Sequence, residues 1–151
     1  MPFDGTTAKT TRRPEQRTTA LRSALVLDMV EFFFRDGAMW VSGQWETCDG
    51  KRCLLQAVSF VRRQIGSRAD RAPAYLARAI RDNDYIRTQD RIIAYNDAHG
   101  RTYPEIAALI REAKALAEAD SRRTAGNLDN VTENRPDIPC TDPGTPTFHN
   151  G

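Results

Sequence analysis

The segment between Glu15 and Gly37 limits the choice of fold more than any other part of the chain. Wound as a helix, Leu21, Leu25, Val26, Leu27, Met29, Val30, Phe32, Phe33 and Phe34 cover about two thirds of its circumference. Ala24, Asp28, Glu31 and Arg35 fill the narrow strip that remains, and Glu31 and Arg35 are spaced to pair along it. A helix this broadly apolar needs partners on several sides. It is expected at the centre of a bundle.

The pattern downstream supplies those partners. Leu54, Ala57, Val58, Val61 and Ile65 form a stripe at helical spacing that starts near Cys53 and stops at Gly66. A third helix follows, capped by Ser67 or Asp70, with Pro73 in its first turn. It buries Ala72, Leu76, Ala79 and Ile80, turns Arg71, Arg78 and Arg81 outward, and breaks at Asn83-Asp84. A shorter fourth helix carries Ile86, Ile92, Ile93 and Tyr95 and stops at Gly100. The fifth places Ile106, Leu109, Ile110, Ala113, Leu116 and Ala117 on one face, which should end near Asp120. The prediction is an all-α domain, a compact bundle of about five helices. Residues 38–53 are left as a turn-rich connection, with room for a short β-ribbon around Asp49-Gly50. Residues 1–14 read as a flexible basic arm, 15–122 as the helical domain and 123–151 as a disordered, acidic, Pro-rich tail.

Composition narrows the class. At 151 residues the chain is long enough for one domain with a core that needs no metal or disulfide. Its net charge of +2 does not by itself point to nucleic acid. No apolar run approaches membrane-spanning length, and the opening residues lack the apolar stretch of a secretory leader. The reading is a cytoplasmic protein with no membrane association, whose Cys48, Cys53 and Cys140 are free thiols.

The densest cluster of polar residues is 95-YNDAHGRTYPE-105. Much of it is helix-joint chemistry. Gly100 suits a helix stop, and His99 suits the last turn before it. Thr102 and Glu105 form a capping box, and Pro104 falls in the first turn of the next helix. Asn96, Asp97 and Arg101 are not needed for that joint. Asp97 and Arg101 are spaced to pair across the turn, and all three are candidate binding residues. Trp45, with Trp40 in the same connection, is a further candidate, either as a binding anchor or as a cap on the core.

Cys53 is the one candidate nucleophile. A thiol at a helix N-terminus beside Lys51 and Arg52 is expected to ionise easily, and His99 with Asn96 or Asp97 would complete a cysteine-dependent hydrolase or transferase. Cys48, Cys53, His99 and His149 lack the spacing of a zinc site, and no cofactor is implied. The arginines from Arg62 to Arg91 offer a second alternative, a phosphate-contacting face for nucleic acid, against a plain solvated surface.

The order W40…G43…W45…G50-x-x-C53-L-L…Y95-N96-D97-x-x-G100-R101-T102-x-x-E105-I106 resembles a family of small bacterial and phage proteins without assigned function. That family shows a Trp-Gly region, a Cys-Leu helix start and a W-N-D-x-x-G-R-T element leading into its last helix. The resemblance spans roughly residues 20–120. Tyr95 stands where the family has Trp, and Gln56 where it has Gly. The resemblance implies the helical architecture and marks Cys53, Asn96, Asp97, Arg101 and Thr102; it implies no activity. The function expected is that of a small binding or accessory module with a protein partner, of phage or mobile-element context. The Trp loop, the start of the second helix and the 96–102 joint are expected to converge.

Overall fold

A computed structural model describes residues 12–81 and 87–132. The helices are α1 (Arg12–Phe34), α2 (Leu54–Gln64), α3 (Ala72–Ala79), α4 (Thr88–Asp97) and α5 (Tyr103–Thr132). Among the described residues there is no strand, so the architecture is all-α, as the periodicity predicts. The ribbon expected in the α1–α2 connection reduces to two isolated bridges, Trp40 with Arg52 and Glu46 with Arg52. None of the described helices is long and apolar enough to cross a membrane.

α1 and α5, of 23 and 30 residues, form the axis of the bundle. They run antiparallel: Asp28 binds Lys114, and Glu31 binds Arg111 one turn further along. α2 packs on α1, α3 on α5, and α4 on α3 and α2. Phe34, Leu27, Leu54, Leu76, Ile92, Ile106 and Ile110 are fully buried where these faces meet. Both long helices extend past the 15–122 boundaries read from the sequence, to Arg12 and Thr132. The rest of the arm and of the tail, with Cys140 and His149, lies outside the described residues, as do Asn83, Asp84 and Ile86.

The expected orientation of α1 is corrected. Ala24 is buried, and Asp28 and Glu31 reach across to α5, so the small and polar strip is the edge on which α5 lies. Glu31 therefore pairs with Arg111 and not with Arg35. Leu21, Leu25 and Phe32, assigned to the apolar face, are exposed, Phe32 by 85%. Ala20 and Ala24 explain the choice, since short side chains let a second helix come close.

α1 ends by turning into the left-handed region at Arg35, Asp36 and Gly37. The N-cap of α3 is Arg71, which makes no side-chain capping bond; the preceding Asp70 serves the first turn instead. Asp70 Oδ1 accepts the Ala72 N–H at 3.1 Å, while its Oδ2 accepts Ser67 Oγ and Arg62 Nε. Neither Ser67 nor Asp70 is thus the N-cap expected from the sequence; Ser67 holds the Asp70 carboxylate in place.

At the far end of the α3–α5 seam, Asp120 accepts hydrogen bonds from Tyr75, Arg78 and Arg123. Burial alone would raise its carboxyl, but those three donors together hold it below the ordinary value. An Asp lowered on folding stabilises the native state above its unfolded pKa and loses that contribution as pH falls. Chemical denaturation should therefore show the wild type more stable than Asp120→Asn at pH 7. The gap should close as pH drops below about 4, the ordinary Asp value; a gap independent of pH would remove Asp120 from this account.

Candidate functional site

The connection between α1 and α2 is long and poor in regular structure, so its backbone groups need partners from elsewhere. Asn96, in the last turn of α4, supplies most of them. Its side chain is 1% exposed and makes four hydrogen bonds. Oδ1 accepts Trp40 Nε1–H at 2.9 Å and the Leu54 N–H at 3.1 Å. Nδ2 donates to the Val41 carbonyl at 3.2 Å and to Asp97 Oδ1 at 2.6 Å. The orientation of the amide is thereby determined, because a flip would set donor against donor at two contacts. The Asn96 carbonyl accepts Ser42 Oγ, and Asp97 Oδ1 accepts the Gly43 N–H at 2.7 Å.

One consecutive pair on α4 therefore holds Trp40, Val41, Ser42 and Gly43 of the loop and the first N–H of α2. The loop continues through Trp45, whose carbonyl accepts the Cys53 N–H at 3.1 Å. Arg52 closes the other side. Its N–H donates to Met39 and its carbonyl accepts Val41 N–H. Its guanidinium lies 4.1 Å from the centre of the Phe60 ring and binds Glu46. The convergence expected from the sequence is present: the Trp loop, the start of α2 and the end of α4 meet at Asn96.

A family model, that of DUF6197, described as a family of unknown function, matches residues 36–116. The chain belongs to the DUF6197 family. No curated protein and no solved structure matches it. The DUF6197 span takes in the whole loop, α2 to α4 and the first half of α5, and hence every group of the clamp. The helix α1 lies before it. The resemblance drawn from the sequence, to a family without assigned function, agrees with this membership.

Within the DUF6197 span the remaining candidates separate. Arg101 does not pair with Asp97. Its Nε donates to the Tyr95 carbonyl at 2.9 Å, its guanidinium stacks 3.8 Å from the Tyr95 ring centre, and Glu105 takes its Nη1. Asp97 is held instead by Gly43 and Asn96. Arg101 thus belongs to the joint, where Gly100, with φ of +75°, sits third in the turn from Ala98 to Arg101. α4 ends at Asp97, so His99 lies in that turn and not in the last helical turn. The capping box is half formed. Glu105 accepts the Thr102 N–H at 2.8 Å, but the Thr102 hydroxyl also donates to Glu105 rather than accepting from the helix. These bonds, the Thr102 N–H first, hold the Glu105 carboxyl below the usual range.

Cys53 occupies the N-cap of α2, as the spacing predicts, but its chemistry differs from the expectation. It is buried, and burial pushes its thiol up. The nearby N–H groups of Gln56 and Leu55 act in the other direction and do not prevail; the Asp97 charge adds to the rise. The helix terminus therefore does not give an easily formed thiolate. Cys48 is exposed, and both thiols are free. Among the described residues no three His, Cys, Asp or Glu side chains gather as ligands for a metal.

The two tryptophans also divide. Trp40 packs on the core beside Tyr103, with its N–H committed to Asn96. Trp45 is 57% exposed. Sequence reading missed Arg52 as the second fastener of the loop. The available signal was a lone Arg between Gly50 and Cys53, followed by Phe60 on the adjoining helix, which is too weak to act on alone.

Proposed function

We propose that this DUF6197 protein is a cytoplasmic protein-binding module that presents Trp45 as its anchor. The observation that carries this is a contrast within one loop. Residues 40–43 are fastened to α4, and the Trp45 carbonyl is fastened to the N-cap of α2, yet Trp45 is 57% exposed. An exposed Trp on a loop of fixed shape meets a partner with little conformational entropy left to lose. Asn96 and Asp97 serve this reading as positioning residues, since all four hydrogen-bonding sites of the Asn96 amide are used inside the protein. Cys53, buried as a neutral thiol, has no part in it.

The test compares wild type and Trp45→Ala as baits, followed by reconstitution of the captured protein from pure components. The expected result is a loss of affinity of tenfold or more, with the fold retained and only a small shift in thermal midpoint, because more than half of Trp45 is exposed. Equal affinity of the two baits for the reconstituted partner overturns the reading.

A further inference from the structure

The arginine-rich stretch divides once its partners are known. Arg62 binds the buried Asp70 at 2.8 Å, Arg78 binds Asp120, Arg81 binds Glu112, and Arg91 donates to the Ala77 carbonyl. These are internal fasteners. Arg63 and Arg68 are different. Both are exposed, and neither has an acidic partner among the described residues. With Arg62, Ser59, Gly66 and Ser67 they line a concavity of about 470 Å³ at the end of α2. A second concavity of about 370 Å³ shares Gly66, Ser67 and Arg68 with it and adds Arg22 from α1. Arg22 too is exposed and without an acidic partner among the described residues.

Among the described residues no carboxylate lines either concavity. Asp70, beside this lining, is 7% exposed and already bound by Arg62, Ser67 and the Ala72 N–H. Arg63 of α2 therefore lines the first concavity, Arg22 of α1 the second, and Arg68 of the α2–α3 loop both, with no counter-charge among the described residues. Each presents a planar fork of donors, which fits the oxygens of a phosphate two at a time. The volumes lie within the range of small-ligand sites, and the Ser59 hydroxyl is a further polar group in the lining.

We infer that the two adjoining concavities that meet at Arg68, one lined by Arg63 and the other by Arg22, form a binding site for a phosphate-bearing ligand with several negative charges. It is separate from the Trp45 loop and does not rest on the role assigned to that loop. The phosphates of a free nucleotide and those of a single strand of nucleic acid offer the same chemistry here, so the test must separate them.

Titration calorimetry and thermal melts should be run with tripolyphosphate, ATP and a single-stranded decanucleotide. Sodium chloride at matched ionic strength is the reference. Tripolyphosphate is expected to raise the melting midpoint of the wild type beyond the chloride reference. The triple variant Arg22→Gln, Arg63→Gln, Arg68→Gln should weaken its affinity at least tenfold. Arg78→Gln, which removes an arginine outside both concavities, should leave the affinity within twofold. Tighter binding of ATP than of the decanucleotide assigns a small phosphorylated ligand, and the reverse assigns a strand; either, if lost in the triple variant, supports the site. No effect beyond chloride, or equal affinity of wild type and triple variant, overturns it. Should the triple variant melt early, Arg68→Gln alone serves, with a severalfold loss expected.

Discussion

Asn96→Ala should destabilise the protein by about 3 kcal/mol and lower its thermal midpoint by roughly 10 °C. The substitution removes both halves of the amide at once. Trp40 Nε1–H and the Leu54 N–H lose their acceptor, and the Val41 carbonyl loses its donor. Each buried group left without a partner costs roughly 1–3 kcal/mol, and water entering the space returns part of that sum. Asn96→Asp makes a sharper test, because it keeps the acceptor and the shape. Its new carboxyl would lie buried beside the Asp97 oxygen that Nδ2 now binds. Both effects raise its folded pKa above the unfolded value. The deficit relative to wild type should then be largest above about pH 4, where the unfolded chain is ionised, and should narrow as pH falls. Urea denaturation from pH 3 to 7 reads both variants. An Asn96→Ala protein within about 1 kcal/mol of wild type would falsify the clamp.

Gly37→Ala is expected to cost a similar amount, about 3 kcal/mol, for a different reason. Gly37 holds φ at +98°, and a Cβ there would stand 2.8 Å from Tyr103 Cγ and 3.0 Å from its Cδ1. Backbone strain accounts for roughly 1–2 kcal/mol and the collision for about as much again. Tyr103 has little room to retreat, since its ring packs edge-on against Phe34 at 5.9 Å and lies 6.2 Å from Trp40. Gly43→Ala is the control. It has φ of +74°, but its Cβ would meet nothing within 4 Å, so strain alone remains, about 1 kcal/mol. Equal losses for the two variants, measured by the same urea titration, would mean that the Tyr103 contact has no weight.

These residues show where the sequence is legible and where it stops. The start and stop of α2 were readable from Cys53 and Gly66, and the α4–α5 joint from Gly100, Thr102 and Glu105, because each depends on groups a few positions apart. The polar residues left over after the joint was explained, Asn96, Asp97 and Arg101, did not divide as expected. Arg101 bonds six residues back and four ahead, within reach of local reasoning, yet spacing alone favoured Asp97 as its partner. Asn96 bonds to groups 42 to 56 positions away, and no periodicity reports such a distance. Cys53 shows a second limit. A helix terminus lowers a thiol pKa, burial raises it, and which one prevails depends on the packing around the sulfur.

By itself the sequence determined the helical period, the number of helices and most of their ends, since backbone geometry and capping are local. It also determined that α1 would be central, because apolar side chains cover too much of that helix for one partner to bury. Only the tertiary structure decided which edge of α1 stays bare. Packing of α5 over Ala20 and Ala24 turned Leu21, Leu25 and Phe32 to solvent, an outcome that depends on two surfaces fitting. It also chose among like residues: Trp40 went inward and Trp45 outward, and of the arginines some met carboxylates while Arg22, Arg63 and Arg68 came to line two adjoining concavities. Identical side chains have identical local preferences, and long-range contact alone tells them apart.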